Sequence, residues 1–178
     1  MLISVLIPTY NGGKFIKRTL NSILKYNHNI LIWVYIDGST DNTLEIINKM
    51  GSNKIKWIYS PINRGVNYAR RKLFERVETK WFAYCDDDDV YTKKAFKYML
   101  KTIKPESNFV TGTMLIKKNM FVKHVFNGEF KQILNPSLRK VLEKSGTSMN
   151  NHLFKSSFFR KLKYDPPPHA QMQEDVCF

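Results

Sequence analysis

Four times in its first hundred residues the chain runs from a short apolar stretch into an amphipathic one, and few folds accommodate that rhythm. Residues 2–7 (LISVLI) end at Pro8, the pattern of a buried strand followed by a turn. After the loop Asn11-Gly12-Gly13, residues 14–25 place Phe15, Ile16, Leu20, Ile23 and Leu24 on one helical face. Residues 30–36 are a second apolar strand. The turn 38–42 (GSTDN) is rich in capping residues, and Asn42 with Glu45 has the spacing of a capping box ahead of Leu44, Ile46, Ile47 and Met50. A third strand over 55–59 closes at Ser60-Pro61, and Gly65 precedes a helix over about 66–77. Residues 81–85 make a fourth strand, and Thr92 is placed to cap a helix over 93–103. Strands and helices in this order predict a doubly wound α/β fold, mostly parallel, with helices on both faces. The ligand crevice of such a sheet lies beyond the carboxyl ends of its strands.

After Pro105 the rhythm changes. Strands are expected over 109–116 and 123–126, a helix from Asn135-Pro136-Ser137 to about 144, and a short strand over 151–154. A basic segment, KSSFFRKLK, follows, and Pro166-Pro167-Pro168 is a stiff extended link. A length of 178 residues, 43% of them hydrophobic, fits one globular domain over 1–178 with a mixed second half. No apolar run approaches the roughly 18–20 residues that cross a bilayer. The start has no basic region and no small-residue cleavage site, so it reads as a strand and not a signal peptide. Cys85 and Cys177 form no CxxC pair, which is consistent with a reducing cytoplasm.

Lys and Arg number 29 against 15 Asp and Glu, a net charge of +14. That balance favours anionic partners: nucleic acid, acidic lipid or phosphorylated small molecules. The basic residues are spread over several segments, so a solvated surface accounts for the charge as well as a functional face does.

Polar residues gather at all four predicted strand ends: Pro8-Thr9-Tyr10-Asn11, Asp37-Gly38-Ser39, Asn63-Arg64-Gly65 and the quartet Asp86-Asp87-Asp88-Asp89. In a doubly wound sheet these ends converge. Adjacent carboxylates repel, and no Lys or Arg lies within three residues of the quartet. Such a run directly after a buried strand suits a hard divalent cation, magnesium or manganese, completed by substrate phosphates. Tyr10 offers a flat face for a base, Asp37 an acceptor for a base edge or ribose, and Arg64 and Arg70 positive charge for phosphate. Together they describe a nucleotide-diphosphate site. None of His28, His124, His152 and His169 has metal-ligand spacing.

The segments VLIPTYNGGKFIKRTLNSIL, VYIDGSTDNT, NRGVNYARRK and FAYCDDDDVY, followed by HLFKSSFFRKLKYD and QEDVCF, resemble in order and spacing the motifs of family 2 glycosyltransferases. The resemblance spans essentially the whole chain. It implies a GT-A fold: a Rossmann-like, doubly wound, mostly parallel sheet, with a nucleotide-sugar-binding half over 1–104 and an acceptor-side half over 105–178. It implies that Tyr10 stacks near the base, with Pro8 and Asn11 shaping the loop. Asp37, in the Asp37-Gly38-Ser39 turn, matches the carboxylate that contacts the base, and Arg64 matches a basic position near the base and phosphates. Asp86 and Asp88 match the family's Asp-x-Asp element, with Asp88 on the metal and Asp86 or Asp87 towards the ribose. Asp175, in Gln173-Glu174-Asp175, matches the catalytic base of inverting members. Two departures stand out. Position 36 is Ile36 where the family often has a second acid, and the family domain normally continues well past the Glu-Asp motif, so the chain is expected to be C-terminally short.

The expected activity is metal-dependent inverting transfer from a nucleotide-diphosphate sugar, a UDP-sugar, to a hydroxyl on a glycan or lipid. Competing readings are an inactive sugar-nucleotide binder, a nucleotidyltransferase, and a basic nucleic-acid-binding module. The last leaves the aspartates unexplained. The expected setting is cytoplasmic, with a peripheral contact at the inner membrane face as the alternative and no nucleic-acid partner; KSSFFRKLK reads first as a core-facing helix and second as a membrane-surface contact.

Overall fold

The computed structural model describes residues 2–25, 29–92, 95–115, 125–133, 150 and 152–161, with no account of side chains beyond residue 110 in the 111–133 region. In chain order the elements are β1 (Ile3–Thr9), α1 (Ile16–Leu24), β2 (Ile30–Asp37), α2 (Thr43–Met50), β3 (Ile55–Ser60), α3 (Val66–Phe74), β4 (Trp81–Tyr84), β5 (Val90–Tyr91) and α4 (Ala95–Thr102). They continue with β6 (Phe109–Leu115), β7 (Val125–Ile133), β8 (His152–Lys155) and a final helix, α5 (Ser156–Lys161). The strands form one sheet in the order β3-β2-β1-β4-β8-β6-β7-β5. The first four are mutually parallel, while β8 runs antiparallel to both β4 and β6. The expected doubly wound fold with a mixed second half is therefore present.

Alternation along each strand sends side chains to opposite faces. Ile3, Val5 and Ile7 pair in register with Ile30, Ile32 and Val34. They bury against Ile16, Leu20 and Ile23 of α1 and Ile47 of α2. The other face carries Leu6, Tyr35, Phe82 and Tyr84, packed under Ala69 and Leu73 of α3 and Phe159 of α5. Helices α1 and α2 thus cover one face and α3 the other, and the change of side falls between β1 and β4.

At that switch the sheet opens. β1 pairs with β4 only from Ile3 to Leu6, whereas its pairing with β2 runs on to Thr9. Pro8 sits in the part of β1 that lacks a β4 neighbour, where its missing N–H costs no ladder bond. The Cys85 amide still reaches the Leu6 carbonyl at 3.0 Å, and beyond it the two chains diverge.

Several local expectations change. Asn42 stands at the start of α2 but makes no side-chain cap. Asp41 takes the role instead, accepting the Thr43 amide at 3.0 Å. Helix α3 ends at Phe74, short of residue 77, as Arg76 and Val77 close a tighter turn onto the Leu73 and Phe74 carbonyls. β7 is longer than the strand expected over 123–126, and β5 was not foreseen. The basic segment after β8 packs inward: Phe159 is buried and Arg160 donates to the Val77 carbonyl while lying over Phe74. For its described residues, 155–161, this is the core-facing helix expected first and not the membrane-surface alternative. The helix expected over 135–144, Pro166 to Pro168 and the stretch holding His169 and Asp175 lie outside the described residues.

Phe82 is the hub of the α3-side core, with the rings of Phe74, Tyr84, Phe154 and Phe159 centred 4.9 to 5.5 Å away. Phe82→Ala should cost about 3–5 kcal/mol of unfolding free energy by urea denaturation. A loss below about 1 kcal/mol would mean this cluster does not anchor the sheet.

Candidate functional site

The opening between β1 and β4 is an open cleft of about 540 Å³, lined by Pro8, Tyr10, Asp37, Asn63, Arg70 and Asp86 to Asp88 among others. A cavity of this size suits a nucleotide-sized ligand. Seven residues singled out from the sequence meet here: Pro8, Tyr10, Asp37, Arg70, Asp86, Asp87 and Asp88. Tyr10 is half exposed, with its ring available at the rim.

The aspartate quartet is a tight turn closed by the Asp89 amide on the Asp86 carbonyl (3.2 Å). Its stability comes from neighbours that the linear sequence hides. Arg70, 3% exposed, reaches Asp86 at 3.3 Å. Thr9 donates its hydroxyl to Asp87 in a short hydrogen bond. The Thr19 hydroxyl on α1 lies between the carbonyls of Asp87 and Asp89, at 2.6 and 2.7 Å. Arg18 donates to the Asp88 carbonyl at 3.3 Å. Asp89 is fully buried and accepts the Asn150 side-chain amide at 3.2 Å. Gly12 allows this packing, because a side chain there would overlap the Asp87 carboxylate and the Thr9 hydroxyl.

The second turn is assembled around Asp37. Its buried carboxylate accepts the Arg64 amide at 3.0 Å and the Gly65 amide at 2.8 Å, tying the end of β2 to the start of α3. Gly38 is at φ +72°, and an added Cβ would strike the Asn63 backbone, so the two loops touch there. Burial raises the Asp37 pKa, against the lowering effect of those amides and of Arg64.

Four expected site residues sit beside the cleft and not in its wall: Asn11, Gly38, Ser39 and Arg64. Asn11, at φ +53°, receives the Thr40 amide at 2.8 Å, and its own amide donates to Ser39 Oγ at 3.0 Å. They join the first two strand-end loops. The Arg64 guanidinium lies over Tyr68, 5.0 Å from the ring centre. Asp175 lies outside the described residues. Thr9, Asn63 and Asp89 stand in the strand-end segments flagged from the sequence but carry no site role there, whereas Arg18 and Thr19 were missed. Nothing in the sequence marks two α1 side chains as supports of a turn some seventy positions later.

Asp86, Asp88 and Asp89 each offer a carboxylate oxygen, and these lie within 4.8 Å of one another. An all-oxygen set of this kind suits magnesium or manganese. Asp89 is a further candidate ligand here, in addition to Asp86 and Asp88. Cys85 is excluded as a nucleophile, since burial and then the four carboxylates push its thiol pKa well up. His152 is equally buried, its pKa lowered to about 3 by desolvation, and it packs beside Phe154 and Phe109.

Burial raises the Asp87 pKa to about 6, with Asp88 and Asp86 adding to the shift and the Thr9 hydroxyl opposing it. The folded state therefore holds this proton more tightly than the unfolded chain does. From this group, stability is greatest at low pH and declines as pH rises from 3.8 through about 6. Asp87→Asn removes that decline. In metal-free buffer, urea denaturation from about pH 4 to about pH 7 should show the variant gaining on the wild type as pH rises. A pH-independent difference would contradict the assignment.

The family described as Glycosyl transferase family 2 matches residues 4–163. The processive diacylglycerol beta-glycosyltransferase of Mycoplasma genitalium is 29% identical over 90% of this chain and 53% of its own length. The chain thus spans about half the length of that relative. Among solved structures, Staphylococcus aureus TarS 1–349 in complex with UDP superposes with a TM-score of 0.77 at 22% identity, covering 99% of this chain and 53% of that one. The Pyrobaculum calidifontis mannosyltransferase PcManGT, in complex with GDP-Man and Mn2+, superposes at 0.69 with 15% identity over 98% of this chain and 49% of its own. The fold of these structures is the GT-A fold expected from the sequence.

Proposed function

The chain belongs to glycosyl transferase family 2, and on that premise we propose that it moves a sugar from a UDP-sugar to a hydroxyl on a glycan or lipid, inverting the anomeric carbon. The observation that carries the reading is the convergence of Tyr10, Asp37, Arg70 and Asp86 to Asp88 on one cleft beyond the carboxyl ends of parallel strands. In this reading residues 1–104 hold the donor and residues 105–178 the acceptor, within a single domain. Tyr10 stacks on the base at the rim. Asp37 keeps free lone pairs for the base edge while its amide partners hold it still. Arg70 fixes Asp86, and Asp87 faces the ribose.

Asp86 and Asp88, with Asp89 beside them, would hold a magnesium or manganese ion, whose chemistry there is to neutralise charge on the departing diphosphate. Asp175 is the proposed base. It takes the acceptor hydroxyl's proton as that oxygen bonds to the anomeric carbon and the bond to the diphosphate oxygen breaks. Attack from the opposite face inverts the carbon without a covalent enzyme intermediate. UDP as carrier is supported by TarS, and a lipid acceptor by the diacylglycerol enzyme of Mycoplasma genitalium. The proposed setting is the inner face of a membrane. No helix among the described residues is long and apolar enough to cross one.

The test is turnover of a panel of UDP-sugars with diacylglycerol or glycan acceptors and manganese. Wild type should transfer at least one sugar. Asp175→Asn should lose about a hundredfold or more in kcat with its donor KM little changed, as expected for a lost general base. Transfer undiminished in Asp175→Asn would sink the base assignment. No turnover with any UDP-sugar or GDP-sugar, despite nucleotide binding, would favour a binding module.

A further inference from the structure

The first thirty-six residues contain no Asp or Glu, yet they hold Lys14, Lys17, Arg18 and Lys25. The fold brings these four cations together on the outer side of α1, around an open depression of about 510 Å³ floored by Val90 and Tyr91. Lys14, Arg18, Asn21 and Lys25 recur at i, i+4, i+7 and i+11, which is one stripe along a helix. Among the described residues, no carboxylate lines the depression.

A second depression of about 310 Å³ adjoins it, sharing Lys17 and Asn21 and reaching α2. Its other walls are Leu24, Ile46, Met50 and Lys49. Lys49 is paired with Glu45, so the field there comes chiefly from α1. On the same side of the sheet, the edge strand β3 presents Trp57 and Tyr59, 42% and 45% exposed. They pair in register with Val34 and Ile36, whose side chains lie in the core beneath α1 and α2. One side of the molecule therefore combines a cationic stripe, a shallow aliphatic surface and two aromatic side chains with polar tips.

We propose that this α1–α2 face docks the protein on a bilayer rich in anionic phospholipid. Exposed lysines on flexible stems suit many phosphates spread in a plane, and they are not moulded around a single one. Leu24, Ile46 and Met50 give the interface an apolar component, and Trp57 and Tyr59 are residue types that settle at the headgroup level. A nucleic acid would be drawn by the same charge, but the depression between the helices is aliphatic, and the exposed rings of Trp57 and Tyr59 are not among the residues lining either depression. The choice of lipid over nucleic acid also rests on the lipid-acceptor reading above; the cationic face itself does not. Arg18 links this face to the cleft through the Asp88 carbonyl, so docking would hold the aspartate turn close to the membrane surface.

The full chain, without donor or metal, is sedimented with vesicles of equal parts phosphatidylglycerol and phosphatidylcholine. It should pellet with them, not with pure phosphatidylcholine, and should be released by salt. Lys14→Gln/Lys17→Gln/Lys25→Gln should lower the partition about a hundredfold, at about fivefold per cation. Arg71→Gln/Lys80→Gln/Lys161→Gln, on the α3 side, should partition as the wild type does. Should the first variant melt early by circular dichroism, its three single variants carry the test at about fivefold each. Equal binding to neutral vesicles, an equal loss in the α3-side variant, or displacement from the vesicles by a single-stranded oligonucleotide would overturn the proposal. Because no donor is present, such a failure leaves the nucleotide site untouched and is distinct from failure of the transferase reading.

Discussion

Four adjacent carboxylates at the end of β4 are the constraint around which the parallel half of the sheet is arranged. Left alone they would repel and draw in water. Here three of them are answered by separate elements, Asp86 by Arg70 of α3, Asp87 by Thr9 of β1 and Asp89 by Asn150, while Thr19 and Arg18 of α1 hold the turn's carbonyls. The turn therefore stitches the two helical layers to the end of the sheet. Two oxygen-rich positions, Asp86 and Asp88, remain partly open to the cleft. Burial, with the neighbouring carboxylates of Asp88 and Asp86 adding to it, raises the Asp87 pKa. The negative charge of the turn is what a divalent cation is suited to meet, and a cation held there would in turn attract a diphosphate.

The cleft owes its existence to a mismatch in strand pairing. β1 leaves β4 after Leu6 but stays with β2 through Thr9. Pro8 tolerates this because it has no amide to leave unpaired. The change of helix side at the same place means that no crossover covers the gap. Asp37 then spends its carboxylate on the amides of Arg64 and Gly65, which fixes the far wall. Pre-organisation of this kind reduces the ordering cost of binding a nucleotide.

The parallel half of the fold was legible because strand and helix periods alternate there without interruption, and the strand ends therefore located the cleft. What escaped the sequence was whatever depends on contacts remote along the chain. Arg70 reads as a cation for phosphate, and its pairing with Asp86 shows only once α3 is laid over β4. Asn42 looks like a cap until Asp41 proves better placed to accept the Thr43 amide. KSSFFRKLK admits both a core-facing helix and a membrane-surface contact because its apolar and basic residues alternate closely, and the rings of Phe82 and Phe154 around Phe159 decide for the core. Position alone suggests phosphate for Arg64, and only the structure shows its guanidinium over Tyr68. The cationic stripe of α1 was hidden inside a diffuse net charge until the helix gave it a face.

The central claim is that the aspartate turn and the β1–β4 cleft form a metal-assisted nucleotide-diphosphate site. Calorimetric titration of UDP, with and without manganese, against the wild type and Asp88→Ala tests it most directly. The account predicts binding that manganese strengthens in the wild type and a loss of that strengthening in the variant, with both proteins equally folded. UDP binding that is indifferent to manganese, or that Asp88→Ala leaves intact, would contradict it.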